Sequence, residues 1–205
     1  MDVTATEIDG LLIVRLAAHR DRRGFFMETW RAEWEKRLRV PRPFVQDNLC
    51  RSEAAGVVRG LHFQRPPATQ AKLVWVGKGA AYDAAVDLRL GSPTYGQWYA
   101  LVLSEDNMLR FYVPEGFAHG YMTLEAGTEF HYKVGAYYSP EHEDGIRFDD
   151  PALGIPWPKI PPLVSEKDEK LPSLAELQSP FSYGKAELQS PFSHGESGTP
   201  RRRRK

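Results

Sequence analysis

Cysteine is almost missing from this 205-residue chain, which contains Cys50 alone. A single thiol excludes an intrachain disulfide and a metal site built from several cysteines. A surplus of charge is missing too, because 27 Lys and Arg residues balance 27 Asp and Glu residues. This balance gives no general reason to expect nucleic acid or an anionic membrane as partner. Any ligand must therefore be recognised by a local site.

Long apolar runs and nucleotide-binding motifs are also missing. No run approaches the ~18 apolar residues of a membrane span, and residues 1–4 lack the cationic start of a signal peptide. Neither a G-x-G-x-x-G pattern nor a P-loop occurs, which argues against a nicotinamide-binding domain and a nucleotide hydrolase. We expect a soluble cytoplasmic protein with no membrane partner.

The chain contains instead many short apolar or alternating runs, separated by turns that carry Gly, Pro, Asn or Asp. Residues 11–14 and 25–30 predict two strands joined by a polar turn at 19–24. Residues 31–38 predict the one convincing helix. The later predicted strands are residues 44–49, 57–64, 71–76, 80–88, 98–103, 109–113, 119–124 and 128–134.

Many short strands at regular spacing, with almost no helix between them, predict an all-β antiparallel barrel or jelly roll. Such a barrel can hold a small ligand in its mouth. Residues 140–162 are rich in proline but still carry Trp157 and other apolar side chains. We predict that this segment wraps against the barrel.

The end of the chain differs in composition, so we assign residues 1–174 to the barrel domain and 175–205 to a flexible tail. The sequence Ala-Glu-Leu-Gln-Ser-Pro-Phe-Ser at 175–182 returns at 186–193. One such duplication is too short for a solenoid and is typical of a flexible segment. Residues 201–205 are all basic. A solvated end is expected there, and a salt-sensitive nucleic-acid contact is the alternative.

The most suggestive strand is residues 59–64, Arg-Gly-Leu-His-Phe-Gln. Because side chains alternate along a strand, Arg59 and His62 are expected on opposite faces. An imidazole there can take a proton near neutral pH, and Lys72 could stabilise the resulting anion. A hydrogen-bonded core histidine is the simpler interpretation of a lone His on a strand.

A metal-binding barrel is the first alternative to test. A β-barrel dioxygenase needs two histidines two residues apart, a nearby carboxylate and a distant third histidine. Here Gln64 stands two residues after His62, and His119 and His131 are isolated. We therefore expect no bound metal.

Other groups allow both a functional and an ordinary interpretation. The arginines of the turn at 21–25 could grip a phosphate or lie in solvent. His119, between glycines, could line a cavity or cap a turn. Tyr132 could donate a proton or simply pack. Asp168 could orient a histidine or lie in a surface turn. The residues alone predict no more than a barrel cavity lined by His, Lys, Arg and Tyr, suited to acid–base chemistry.

These motifs together resemble the dTDP-4-dehydrorhamnose 3,5-epimerase family of deoxysugar biosynthesis, over roughly residues 8–174 and in the family order. They are Asp21-x-Arg23-Gly24-x-Phe26-x-Glu28, Gln46-x-Asn48, Val58-Arg59-Gly60-Leu61-His62-Phe63-Gln64, Lys72, Val86-Asp87-Leu88-Arg89, Ser92-Pro93-Thr94-Tyr95-Gly96, Pro114-x-Gly116-Phe117-Ala118-His119-Gly120, Tyr132-Lys133, Trp157-Pro158 and Ser165-Glu166-Lys167-Asp168.

The resemblance implies a cupin-type jelly roll, without metal or other cofactor, that forms a homodimer. It implies an isomerase that inverts carbons 3 and 5 of dTDP-4-keto-6-deoxy-glucose through an enolate. His62 would be the base, and Asp168 would fix its tautomer. Lys72 would stabilise the enolate oxygen, aided by the positive field of Arg59. Tyr132 would return a proton from the opposite face of the sugar.

The resemblance also implies the residues that bind substrate. Arg23 and Arg59 would contact the diphosphate. Phe25 and Glu28 would form the thymidine pocket of the neighbouring subunit. The remaining predicted pocket residues are Gln46, Asn48, His119, Tyr138 and Lys167.

Two segments depart from the family pattern. Leu49-Cys50 stands where the family often has His-Ser or Cys-Ser, and Arg147-Phe148-Asp149-Asp150 stands where the family commonly has a Trp-Asn pair. Either departure could reshape the sugar pocket. Two alternatives therefore stay open: an epimerase of one centre in an antibiotic-sugar pathway, and a jelly roll that binds sugar nucleotides without catalysis.

Overall fold

The computed structural model describes residues 1–184, which form thirteen strands and one short α-helix, α1 (Trp34–Leu38). Single 3-10 turns lie at Pro140–His142 and Asp168–Lys170. The strands are β1 (Asp2–Ala5), β2 (Leu12–Arg15), β3 (Ala18–Asp21), β4 (Gly24–Met27), β5 (Gln46–Ser52), β6 (Val58–Gln64), β7 (Lys72–Lys78), β8 (Ala80–Asp87), β9 (Trp98–Ser104), β10 (Leu109–Val113), β11 (Phe117–Thr123), β12 (Thr128–Val134) and β13 (Glu143–Gly145).

Two antiparallel sheets form the body of the protein. One has six strands in the order β1-β2-β10-β7-β12-β5, and the other has five in the order β13-β6-β11-β8-β9. Strands β3 and β4 form a separate hairpin. Most neighbours in these sheets, such as β5 and β12 or β6 and β11, come from distant parts of the chain, as in a jelly roll. The predicted all-β jelly roll with few short helices is confirmed.

The main core lies between the inner faces of the two sheets. Phe111 and Phe130 of the six-stranded sheet meet Ala85, Leu103 and Phe117 of the five-stranded sheet. Each large apolar side chain buried there contributes about 1.5–3 kcal/mol. Beside this core, polar side chains line a cavity between the two sheets.

The outer faces of both sheets are covered as well. Leu73 and Tyr112 of the six-stranded sheet pack with Leu38 of α1. The proline-rich segment brings Ile146 and Ile155 to the five-stranded sheet, as predicted. The α-helix and the two 3-10 turns within residues 1–184 all fall short of the length and apolar character that a membrane crossing requires.

Three strands were not predicted correctly. Most of β3 was assigned to the polar turn at 19–24, whereas the turn of the hairpin is only Arg22 and Arg23. The exposed polar side chains of β3 give no apolar alternation that could reveal a strand. Strands β1 and β13 were not predicted, and α1 begins at Trp34 rather than at residue 31.

Residues 175–184, which the sequence analysis placed in the tail, pack against the barrel. Leu177 and Phe181 join the apolar cluster on the five-stranded sheet, and Ser182 makes a parallel bridge with Leu90. The Ser/Pro/Gly composition suggested flexibility, but two apolar side chains find a groove here. The second copy of the repeat and the polybasic end lie outside the described residues, so the flexible tail stays a prediction for them.

The alternation along β9 can be tested with two adjacent residues. Leu103→Ala should lower the free energy of unfolding by about 2–5 kcal/mol, because its fully buried side chain belongs to the main core. Val102→Ala is the matched control: this side chain is 43% exposed, so its loss should cost under about 1 kcal/mol. Urea unfolding measures both values. Equal losses would contradict the assigned inner and outer faces.

Candidate active site

A cavity of about 480 Å³ opens between the two sheets. Strand β6 supplies Arg59 and His62, β11 supplies His119, β7 supplies Lys72 and β12 supplies Tyr132. Each of these side chains points from its strand into the cavity. The sheets thus bring together residues that are far apart in sequence.

The closest polar contact in the cavity joins His62 to Asp168. The His62 Nε2 atom lies 2.7 Å from Asp168 Oδ1, and the carboxylate also accepts a hydrogen bond from the Gly60 amide. Burial raises the pKa of Asp168, but the hydrogen bond and charge of His62 outweigh it, so the net pKa lies below the usual value. An ionised carboxylate accepts the Nε2 hydrogen, which leaves Nδ1 as the basic nitrogen.

One prediction about this strand was wrong. Arg59 and His62 were expected on opposite faces of β6, but both line the cavity. The pairing with β11 shifts between His119 and Tyr121: His62 lies opposite His119, while Arg59 lies opposite Tyr121. Three residues of β6 therefore span two of β11, and this extra residue resets the alternation.

Lys72 lies beside His62 and near two carboxylates. Its Nζ atom donates a hydrogen bond of 3.1 Å to the His62 carbonyl oxygen. Burial lowers the pKa of Lys72 to about 8, although the charges of Asp83 and Glu143 act in the opposite direction. The protonated amine is thus an enclosed positive charge whose attraction for an anion is little screened by water.

His119, which lines the cavity, pairs with the fully buried Asp83 behind it. The His119 Nε2 atom lies 3.0 Å from both carboxylate oxygens. Burial raises the pKa of Asp83, and the neighbouring His119 and Lys72 partly offset this rise. Asp83 was not predicted as a site residue, because an isolated Asp in an apolar strand carries no motif.

Tyr132 faces His62 from the opposite sheet. Burial, followed by the nearby Cys50 thiol, raises the pKa of Tyr132 to about 12, so the phenol keeps its proton at neutral pH. Cys50 itself lines the cavity, whereas Leu49 is exposed. Of the two residues Leu49 and Cys50, which depart from the family pattern, only Cys50 therefore borders the site. Asp149, in the second segment that departs from the family pattern, pairs with Arg147 outside the cavity.

A second pocket of about 330 Å³ adjoins the first and shares His62, Lys72, Tyr132 and Glu143 with it. The predicted residues Gln46 and Asn48 line it and are hydrogen-bonded to each other at 2.8 Å. Two more predicted residues lie at the rim: Tyr138 borders this pocket and Lys167 borders the first.

Glu143, which was not predicted as a site residue, borders both pockets and accepts hydrogen bonds from Tyr138 and Lys167. Burial raises its pKa, but these two partners outweigh that effect and the net pKa is lowered. No local pattern could have found Glu143, since its strand has three residues.

Among residues 1–184, no three His, Cys, Asp or Glu side chains are grouped so that they could hold a metal ion.

Three predicted residues lie outside both pockets. Arg23, Phe25 and Glu28 belong to the β3–β4 hairpin or follow it, and the side chain of Arg23 is 84% exposed and pairs with Asp21. Phe25 and its neighbour Phe26 are 52% and 73% exposed. A single chain therefore brings the proposed catalytic residues together but not these three.

Comparison with known proteins places this arrangement in a family. The family model described as dTDP-4-dehydrorhamnose 3,5-epimerase matches residues 5–176. A curated protein of that name from Sinorhizobium fredii is 49% identical over 174 residues, which cover 84% of this chain and 89% of the relative.

The chain belongs to the dTDP-4-dehydrorhamnose 3,5-epimerase family. It is thus of the isomerase class, as the sequence predicted.

Two solved structures of related epimerases share the fold. The RmlC epimerase of Legionella pneumophila, in complex with dTDP-4-keto-L-rhamnose, is 42% identical with a TM-score of 0.85, and the match covers 90% of this chain and 99% of that one. ChmJ of Streptomyces bikiniensis, a 3'-monoepimerase in complex with dTDP-quinovose, is 32% identical with a TM-score of 0.77, covering 83% and 86%.

The buried charge of Lys72 predicts how stability depends on pH. The folded pKa of about 8 lies below the ordinary 10.5, so folding favours the neutral amine and the cost of the charge is fully present below pH 8. Lys72→Met should be more stable than wild type at pH 6–7, on the order of 2 kcal/mol. This advantage should shrink as the pH rises from about 8 to 10.5.

Urea unfolding at a series of pH values measures the effect. The matched control is Lys78→Met, because Lys78 is exposed at the end of the same strand and should give no such advantage. A difference between wild type and Lys72→Met that stays constant with pH would contradict the buried charge.

Proposed function

We propose that this protein inverts carbons 3 and 5 of dTDP-4-keto-6-deoxy-glucose, as a step in the synthesis of dTDP-L-rhamnose or a related deoxysugar. The observation that carries the proposal is the position of His62, paired with Asp168, across the cavity from Tyr132. A base and an acid on opposite sides of one ligand are what inversion of a carbon centre requires.

The first step is removal of a proton by His62. Carbons 3 and 5 both adjoin the carbon 4 ketone, which acidifies their C–H bonds, so the reaction needs no cofactor. Asp168 holds the imidazole through Nε2 and stabilises the imidazolium that forms. The proton goes to Nδ1, and the electron pair of the C–H bond forms the enolate.

Two cations stabilise the enolate oxygen. Lys72 adjoins His62, and Arg59 lines the same cavity after the bulge. Both positive charges are already in position when the reaction begins. The protein therefore needs little reorganisation as negative charge develops on the oxygen. Loss of one such stabilising group typically costs ~3–4 kcal/mol of the barrier.

The second step is delivery of a proton by Tyr132 to the other face of the same carbon. Its raised pKa keeps the phenol protonated until the more basic enolate carbon takes the proton. His62 alone would return the proton to the face from which it came. The inverted product therefore depends on the sheet that carries β12.

We further propose a homodimer in which the hairpin of one subunit completes the pocket of its partner. Exposed phenylalanines on β4 support this, since large exposed apolar side chains often mark an interface. Phe25 and Glu28 would hold the thymidine, and Arg23 would join Arg59 at the diphosphate. The sugar would lie toward the residues of the two pockets: Gln46, Asn48, His119, Tyr138 and Lys167.

An epimerase of one centre is the second candidate. The similarity to ChmJ supports it, as does Cys50, the departing residue that borders the cavity beside Tyr132. A binder without catalysis is less well supported, because His62, Lys72, Tyr132 and Asp168 are all present and all line one cavity.

Incubation with dTDP-4-keto-6-deoxy-glucose in heavy water, followed by NMR, tests the chemistry. Deuterium should enter at carbons 3 and 5, and His62→Ala should slow its entry by about 100-fold or more while dTDP binding persists. Tyr132→Phe should still exchange protons on the His62 face but form no inverted product. Label at one carbon alone would establish the second candidate.

The matched control for His62→Ala is His131→Ala. His131 stacks on Trp75 and borders neither pocket, so exchange should continue at the wild-type rate. Full exchange by His62→Ala would refute the proposed base. No exchange by the wild type, with tight dTDP binding, would support a binder.

Mixing two inactive variants tests the shared pocket. His62→Ala lacks the base, and Phe25→Ala combined with Arg23→Ala lacks the hairpin contacts. A mixed dimer should regain one intact site, so equal mixing after subunit exchange should restore about a quarter of wild-type activity. Mixtures no more active than their components would show that each chain completes its own site.

A further inference from the structure

The outer face of the five-stranded sheet has a groove that residues 177–183 fill. Leu177 and Phe181 are the apolar anchors, at 9% and 8% exposure. The Phe181 ring meets the edge of the Phe63 ring, with centroids 5.3 Å apart. Phe63 follows His62 directly, so the segment supports the strand that carries the proposed base.

Backbone hydrogen bonds fix the position of this segment. The Leu90 amide donates to the Phe181 carbonyl oxygen at 3.0 Å, and the Tyr183 amide donates back to Leu90 at 2.9 Å. The Ser179 hydroxyl donates to the Leu88 carbonyl oxygen. The segment therefore joins the barrel through one parallel β-bridge with apolar side chains in a groove, which resembles peptide recognition by strand addition.

The sequence holds a second copy of the same peptide eleven residues later. The residues of the first copy that contact the groove have identical counterparts in the second copy. The exception is Tyr183, whose counterpart is His194. The counterparts are Leu188 for Leu177, Ser190 for Ser179 and Phe192 for Phe181. The chain thus carries two peptides of matching chemistry for one groove.

We propose that this groove is a docking site for the repeated peptide and that residues 186–193 are its alternative occupant. This interaction surface is separate from the proposed catalytic function. For the second copy to dock, eleven more residues must form a loop, which lowers its occupancy by on the order of 30-fold. The first copy therefore occupies the groove in most molecules, and the second copy binds there when the first is displaced.

The Leu90 amide reports occupancy directly, because its partner is the carbonyl oxygen of Phe181. Hydrogen exchange by NMR on the full chain measures its protection. The Leu88 amide, which donates to Gly116, is the internal control for the barrel. The three variants to compare lack the anchors of the first copy (L177A/F181A), of the second copy (L188A/F192A) or of both.

Loss of the second copy's anchors should leave Leu90 protection within about twofold of wild type. Loss of the first copy's anchors should lower it by on the order of 30-fold, since the second copy then docks. Loss of both should lower it by more than about 1,000-fold. Leu88 should stay protected throughout. The proposal is overturned if L177A/F181A alone exchanges as fast as the chain with all four substitutions.

A peptide added in trans gives an independent measurement. A synthetic peptide of residues 186–196 should restore Leu90 protection in the chain with four substitutions, and a scrambled peptide should not. If four substitutions unfold the barrel, F181A against F181A/F192A provides the same comparison with a smaller difference. Equal protection in that pair, or no rescue by the peptide, would refute the second copy as an occupant.

Discussion

The hydrogen bond between His62 and Asp168 is the contact on which the candidate site depends. It joins residues 106 apart in sequence, so it forms only if the segment after the last sheet strand returns to β6. Asp168 is 5% exposed, and a buried carboxylate is costly unless it is hydrogen-bonded. The Gly60 amide and the Ser165 hydroxyl, which accepts from the Asp168 amide, help to fix it. The segment that follows the proline-rich wrap therefore supplies a residue of the proposed active site.

The two-sheet architecture explains how one chain could present the proposed acid and the proposed base to the same carbon. Residues on one strand face of a single sheet approach a ligand from one side only. His62 and Tyr132 belong to different sheets, so the cavity between them has a reactive group on each side. The apolar core holds this separation, because Phe130, one pleat from Tyr132, is packed against Tyr121 of the other sheet. The proposed catalytic geometry and the core packing thus share the same strands.

Most strands and the histidine, lysine and tyrosine of the cavity could be predicted because apolar alternation and motif order are local properties. The features that were not predicted depend on contacts between distant parts of the chain. The bulge that brings Arg59 beside His62 is a mismatch between two strands, visible only in their pairing. Glu143 lies in a three-residue strand defined by its partner. The segment at 175–184 has the composition of a tail, and only the groove around Phe181 gives it a fixed place.

The charges of the cavity define the conditions under which the proposed chemistry can run. Asp168 must be ionised to hold the imidazole, and its pKa lies below the ordinary 3.8. Lys72 must be charged to stabilise an enolate, and burial lowers its pKa to about 8. Tyr132 must keep its proton, which its pKa of about 12 ensures at any pH where Lys72 is charged. The upper limit is therefore set by the lysine and not by the acid. The same burial that strengthens the attraction of Lys72 for the enolate also brings that limit close to neutral pH.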